Sequence, residues 1–431
     1  MISIQQTRGK RASLKKGIDF DGGRRRRNDE RAKLRKNRRL EGLQRKRAIQ
    51  SSAPRHNQDE TDMMKTDDFE VKLPQFLVDM NLTISDSVVQ LLMKSNVADN
   101  TTSTLPVNPM TIDGRNGAHT RDLVIQSGIV PLLVKNLLSE KLDIREQSAI
   151  CIGNISGESH ELRDHVIQCG VIDPLLHNIS NSPNDEFLEK IVWSLSNLCR
   201  GKQTAEMNNI IPVFPVLIKL LGSSHSETLI NTCWALAYLT EDNDTVAQEL
   251  IEQDLTTTFV PFLAQENTKI AYVVMRILGN FILSGHIQKV IDAGIMNHTD
   301  ALLSSHDRSV RYEICYVLSL IVDSGDELIN LIIDSSSELE IIINILKESS
   351  LDERMEAGWV IFNIATKGTD IQLKALVDMD VMSALCFNLN VPDIKFLLLV
   401  LDSIENILIV GERLALNYRC SFEDNGGKEK N

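Results

Sequence analysis

Helical segments of similar pattern recur along this chain, apolar positions falling three and four residues apart within each and polar breaks separating them. RDLVIQSG at 121–128, RDHVIQCG at 163–170 and IQKVIDAG at 287–294 are versions of one element, whose closing glycine ends a helix and turns the chain into the next unit. Gly128 and Gly170 lie 42 residues apart. Longer helical segments return at nearly the same interval, with key positions Ile150, Trp193, Trp234, Arg276, Tyr316, Trp359 and Asp402 separated by 43, 41, 42, 40, 43 and 43 residues. Four residues after each stand Asn154, Asn197, Tyr238, Asn280, Leu320, Asn363 and Asn406. Positions i and i+4 share a helix face, so each pair forms one patch. Each unit is read as two or three helices, the last carrying the key pair.

A period of this size, sustained over most of the chain, predicts an all-α solenoid of the armadillo or HEAT kind, a right-handed superhelix, rather than an enzyme core. Residues 71–416 form the solenoid on this reading, with 73–97 as a short opening repeat. Residues 98–120 are expected to be irregular, since Pro106, Pro109 and Gly114 oppose a regular helix. Ahead of it, residues 51–70 read as a polar, acidic linker, and residues 1–21 as a flexible lead. Between Arg24 and Ile49 strong helix formers dominate, with Leu34, Leu40 and Leu43 among many basic residues, so a helix is expected there on binding. Residues 417–431 read as a polar, frayed tail.

Charge divides the chain sharply. Of its 46 Lys and Arg and 59 Asp and Glu, residues 1–50 hold 18 and 5, leaving residues 51–431 with 28 and 54. The two parts attract each other. A basic run of this strength first suggests nucleic acid, but the acidic body argues against a duplex lying along it. The cysteines Cys151, Cys169, Cys199, Cys233, Cys315, Cys386 and Cys420 form no CxxC pair and read as small hydrophobes in a reducing compartment. Neither a secretory apolar region nor a membrane-spanning run is present in the sequence, which points to cytoplasm and nucleus and to no membrane partner.

Stacking the repeats sets the key pairs in a row on one surface. Successive tryptophans would wall a slot for the aliphatic stem of a Lys or Arg, with cation–π attraction of ~0.5–2 kcal/mol. An asparagine amide offers both a donor and an acceptor to an extended peptide backbone. Glu158, Glu241, Asp242 and Asp244, just past the pairs, would meet the cationic ends. A lone Trp on a helix is more often core than platform. The amide repeated four residues on favours a receptor for an extended basic peptide. Nothing resembles catalysis or a cofactor site: His160 and His165 are five apart and share no helix face, and GRNGAH at 114–119 lacks the strand and the GK[ST] of a phosphate loop.

SLKKGIDFDGGRRRRNDERAKLRKNRRLEGLQRKR (13–47), with its RRRR run, its LRK core and its closing basic cluster, resembles the importin-beta-binding segment of the importin alpha family. IVWSLSNLCRGK (191–202) with ETLINTCWALAYLTED (227–242) resembles two successive armadillo repeats of that family, MEAGWVIFNIATKG (355–368) and LDSIENILIVGE (401–412) its late repeats, and FEDNGG (422–427) the stretch that closes its armadillo domain. The resemblance implies a nuclear import adaptor that binds basic nuclear localisation signals in the groove. It implies importin beta, signal-bearing cargo and the family's export receptor as partners. Trp193, Asn197, Arg200, Asn231, Trp234 and Tyr238 would belong to the major signal site, with Asn154 and Glu158 at its edge. Arg276, Asn280, Tyr316, Glu356, Trp359 and Asn363 would form the minor site. Arg24, Arg25, Arg26, Arg27, Leu34, Arg35, Lys36, Arg38, Arg39, Arg45, Lys46 and Arg47 would engage importin beta. The chain departs from the family at Ile150 and Tyr316, where members have Trp, and at Leu320, where they have Asn. One period before Ile150 the ladder calls for another pair near residue 108, yet VNPMTIDG stands there. A degenerate paralogue, a lost segment of about one repeat, or an armadillo scaffold without transport activity are the alternatives to an intact adaptor.

Overall fold

The structure is a computed structural model that describes residues 114–201, 209–210, 212–241 and 243–424, side chains excepted at 114–120, 336 and 416–424. The basic segment, the linker, the opening repeat and residues 98–113 of the stretch expected to be irregular lie outside the described residues, as does Asp242. Every element among the described residues is a helix. The expected all-α armadillo solenoid is what the chain forms.

The key positions sit on long helices that we number α1 (Leu142–Glu158), α2 (Asp185–Cys199), α3 (Ser226–Thr240), α4 (Thr268–Leu283), α5 (Arg308–Asp323), α6 (Leu351–Lys367) and α7 (Ile394–Asp424). Each packs along the next, so the recurring sequence pattern becomes a row of neighbours. Shorter helices form a second layer, in which Thr299–Leu303 packs on Ser336–Glu348, and that on Val381–Phe387. Described residues from Leu123 onward belong to one compact unit. Its core is aliphatic: Ile191, Val192, Leu195 and Leu198 of α2, for instance, are fully buried.

Local chemistry explains the boundaries. The side chains of Asn184, Asp307 and Asp393 each accept from a backbone N–H at 2.8 Å in the first turn of α2, α5 and α7, satisfying donors that a helix start leaves orphaned. Thr369 and Gln372 cap the helix Asp370–Asp378 reciprocally, at 2.8 and 3.3 Å. The turn glycines behave as expected, Gly128, Gly170 and Gly294 having φ of 65°, 78° and 93°. Asp254 and Asp380 take the same left-handed turn at φ 58° and 59°, a conformation Asp tolerates better than most residues.

One staple recurs between the units. Asn178 donates at 2.8 Å to the Leu137 and Pro174 carbonyls, while Arg145 donates to its Oδ1 at 3.1 Å and lies over Phe187. Asn388 repeats it with Leu346, Ala384, Arg354 and Phe387.

Two boundaries correct the expectation. A helix begins at Gly114 and runs to Ser127, so the irregular stretch does not extend to residue 120. The reason is positional: past Pro109 no proline intervenes, and Gly114 opens the helix instead of interrupting it. At the other end α7 continues to Asp424, through residues expected to fray, because the sequence from Ile394 holds neither proline nor a closing turn glycine at a unit boundary.

Candidate functional site

Ile150, Asn154 and Glu158 lie on α1, all half-buried. Trp193 and Asn197 follow on α2, also half-buried. A Cβ at Gly153 would stand 2.4 Å from Cζ3 of the Trp193 ring, and one at Gly157 3.4 Å from the Asn197 amide oxygen. The indole thus packs against the preceding helix where that helix carries glycine. Tyr316 lies over Gly279 at the same register, but a Cβ built there would stand 3.7 Å from its ring, in ordinary contact. Both glycines stand three residues after a key position, a regularity legible in the sequence.

Trp234, Tyr238 and Arg276 converge. The Trp234 and Tyr238 rings stack at 5.3 Å and 26°, Tyr272 leans on Trp234 at 6.0 Å, and the Arg276 guanidinium lies 5.5 Å from the Trp234 centroid. Arg276 is buried, 5% exposed. Burial works against its charge, but Tyr272, which accepts its hydrogen bond, and the carboxylates Glu313 and Glu241 more than offset that and raise its pKa above the usual arginine value. The Tyr238 phenol is pushed up by burial, partly countered by Arg200 and Arg276. Arg276 thus lies against the Trp234 ring of the preceding long helix. It could not be placed from sequence because the partner ring is 42 residues away. Tyr272 and Glu313, four and three residues before their key positions, are further members that sequence reasoning missed; Glu356 occupies the same register as Glu313.

The ladder asparagines face backward. Asn280 Nδ2 donates at 3.0 Å to the Ala237 carbonyl and to Thr240 Oγ1, and Asn363 Nδ2 donates at 2.8 Å to the Ser319 carbonyl. Asn406 Nδ2 reaches Thr366 Oγ1 at 3.3 Å. At these positions an amide N–H braces the preceding helix. The Asn363 Oδ1 is buried without a hydrogen-bond partner. Asn231 is half-buried three residues before Trp234.

Charges on the row are largely paired between neighbouring helices. Lys190 of α2 meets Glu146 of α1 at 2.5 Å. Glu353, 2% exposed, meets Arg311 at 2.7 Å and Arg308 at 3.5 Å. Lys367 meets Asp323 at 2.7 Å, and Tyr312 donates to Glu356 at 3.3 Å. Asp244 accepts from Ser284 at 2.8 Å. Just past α2, the Arg200 carbonyl accepts from the fully buried Arg163 at 2.6 Å, which fixes the backbone while the Arg200 side chain stays half-buried near Tyr238.

The thiols of Cys151, Cys199 and Cys233 are pushed up to about 12 by burial and that of Cys315 higher still, so these residues act as small hydrophobes. Among the described residues no His, Cys, Asp or Glu cluster could hold a metal, and no helix is long and apolar enough to cross a membrane.

A row of parallel long helices with aromatic and amide side chains at a fixed register defines an armadillo-repeat solenoid. The Armadillo/beta-catenin-like repeat family matches residues 117–157, 159–200 and 212–241, and the Importin beta binding domain family matches residues 10–104. Importin subunit alpha-5 of Arabidopsis thaliana is 30% identical over 99% of this chain and 88% of that protein. Importin subunit alpha-3 of the same plant is 27% identical over 94% and 83%; importin subunit alpha-1b of Oryza sativa subsp. japonica is 28% identical over 67% of this chain, and that match spans 55% of the rice protein. The chain belongs to the importin alpha family. In fold it is also similar to the crystal structure of an engineered protein, with a TM-score of 0.60 at 22% identity over 75% of this chain and 79% of that one.

Proposed function

We propose that this protein is a nuclear import adaptor whose ladder face binds the extended basic segment of a cargo and whose residues 13–47 join it to importin beta. The observation that carries the reading is the Arg276 guanidinium over the Trp234 ring, hemmed by Tyr238, Tyr272, Glu241 and Glu313. Within its own fold the protein sets a basic side chain on a ladder tryptophan, surrounded by carboxylates, and Trp193 and Trp359 recur at the equivalent register, half-buried. A peptide lysine or arginine would meet the same chemistry there. Residues 51–70 would serve as a leash between segment and solenoid, and the protein would shuttle between cytoplasm and nucleus. The matched segment at 10–104 supports the carrier contact, and its basic residues demand an acidic partner.

Calorimetric titration with a Lys-rich peptide tests the groove. Trp193→Ala should cost on the order of 1–3 kcal/mol of binding, and Ile150→Trp, which restores a wall, should strengthen it. Deleting residues 1–50, which carry the competing Arg45-Lys46-Arg47 cluster, should tighten binding of the same peptide. Unchanged affinity in Trp193→Ala and Ile150→Trp together would show the ladder to be core and not receptor. Undiminished importin beta binding after reversal of Arg35, Lys36, Arg38 and Arg39 would remove the carrier half of the proposal.

A further inference from the structure

Positions three and four residues before a key residue line the row beside its rings. Tyr272, four before Arg276, leans on the Trp234 ring of the preceding helix, and Glu313, three before Tyr316, lies close enough to Arg276 to act on its charge. Tyr312, four before Tyr316, donates to Glu356, three before Trp359, across a span of 44 residues. The same register on α1 and α2 holds Glu146 and Lys190, again 44 residues apart, with Lys190 Nζ at 2.5 Å from Glu146 Oε1. One register therefore carries opposite charges at the two tryptophans, an ammonium three residues before Trp193 and a carboxylate three residues before Trp359.

The early pair differs from the ion pairs at the rim of the row. Side-chain exposure is 19% for Lys190 and 16% for Glu146, against 66% and 45% for Lys269 with Glu227 and 52% and 62% for Arg308 with Asp352. Lys190 stands one turn before Trp193 on the same helix face. Its charge also reaches Glu189, whose carboxyl is pushed up by burial and by Glu227 and pulled down by His225 and Lys190. On the late rungs Glu313 is 0% exposed with neither carboxylate oxygen in a hydrogen bond, and Glu356 accepts from the Tyr312 phenol. A peptide cation arriving beside Trp193 thus meets an acid already engaged by the protein's own lysine. The indole face remains for the aliphatic stem of the incoming side chain. Its charged head gains little, because taking Glu146 exchanges one ion pair for another and leaves the Lys190 ammonium half-buried without that carboxylate.

Building on the groove reading above, we infer that Lys190 is a specificity-determining residue: it makes the Trp193 slot a seat for a long side chain regardless of charge, so that the demand for a cation is set at the other rungs. The cargo segment this selects is a basic peptide that tolerates a neutral, long-stemmed residue at one position.

The test is a Lys-rich peptide and a series in which each lysine in turn is replaced by norleucine, which keeps the stem and drops the charge, all titrated against the full chain. The readout at each position is the ratio of the two dissociation constants, in which competition from the basic residues 1–50 cancels. In the wild-type chain one position should tolerate the exchange within about twofold. In Lys190→Gln the exchange at that position should cost about tenfold, the other ratios staying as they were. Lys190→Met, which keeps the stem, should repeat this result, and Lys190→Arg, which keeps the charge, should preserve the tolerance. Adding Glu146→Gln to Lys190→Gln should bring the ratio back below about threefold. Ratios unmoved by Lys190→Gln and Lys190→Met would overturn the inference and leave the groove reading standing, as would a tenfold ratio that survives Glu146→Gln. If no peptide of the series binds, or if Trp193→Ala leaves every affinity unchanged, the groove reading fails and this inference with it.

Discussion

The early and late rungs of the ladder present side chains at the same register but hold them by different means. On α1 and α2 the rung side chains are seated by shape, Trp193 in a hollow left by Gly153 and Asn197 beside Gly157, while the polar links there, Lys190 with Glu146 and Ser194 with the Ala149 carbonyl, lie off the rung residues. On α5 and α6 polar bonds do it: Asn363 donates back to Ser319, Glu353 collects Arg311 and Arg308, and Lys367 reaches Asp323. A glycine hollow seats its rung by shape, whereas a braced rung has an amide N–H engaged with the helix before it. A repeat protein can therefore keep one recurrent surface while varying the support underneath. Rungs with similar outward residues need not respond alike to a ligand or to mutation.

The contrast breaks most visibly at Glu353. Glu353→Ala leaves Arg311 and Arg308 beside a buried gap, and a loss of about 3 kcal/mol is expected in denaturant unfolding. Asp352→Asn, which removes only the exposed partner of Arg308, should cost no more than about 0.5 kcal/mol. On the early side Gly153→Ala drives a methyl into the Trp193 ring and should cost about 2 kcal/mol, with a changed indole fluorescence.

A second buried carboxylate sharpens the late side. Glu338 is 5% exposed and is met by the Thr299 hydroxyl but by no cation; burial, with help from Asp300 and against the Thr299 bond, raises its pKa. The folded state then holds the proton more tightly than the unfolded chain. Its contribution is complete below the ordinary glutamate range and is lost as pH rises through the raised value. Glu338→Gln should add about 1 kcal/mol at neutral pH and flatten this part of the pH dependence of the melting temperature. Equal slopes for variant and wild type would refute the assignment. The smallest effect separates Gly279 from the Gly153 hollow. A Cβ at Gly279 finds ordinary contact with Tyr316, so Gly279→Ala should stabilise by about 0.5 kcal/mol through helix propensity, opposite in sign to Gly153→Ala.

Much of this molecule was legible in one dimension. The period of 40 to 43 residues announces a stacked helical array because each unit must bury its apolar face on a like neighbour. Gly128, Gly170 and Gly294 could be read as turns because only a residue without a Cβ enters that backbone region freely. The row of key positions followed from the register alone. The start of the helix at Gly114 was missed because two nearby prolines were given reach beyond their own turn.

The supports under the row were not legible, for one reason throughout. Whether Arg276 turns to Trp234, whether Asn280 and Asn363 donate backward, and whether Trp193 finds a hollow depend on distances between residues some 40 positions apart. Local propensity and spacing decide which face of a helix a residue occupies. Which atom it then touches is settled only when two such faces meet, since hydrogen bonds and ring contacts change over fractions of an ångström that no periodicity encodes.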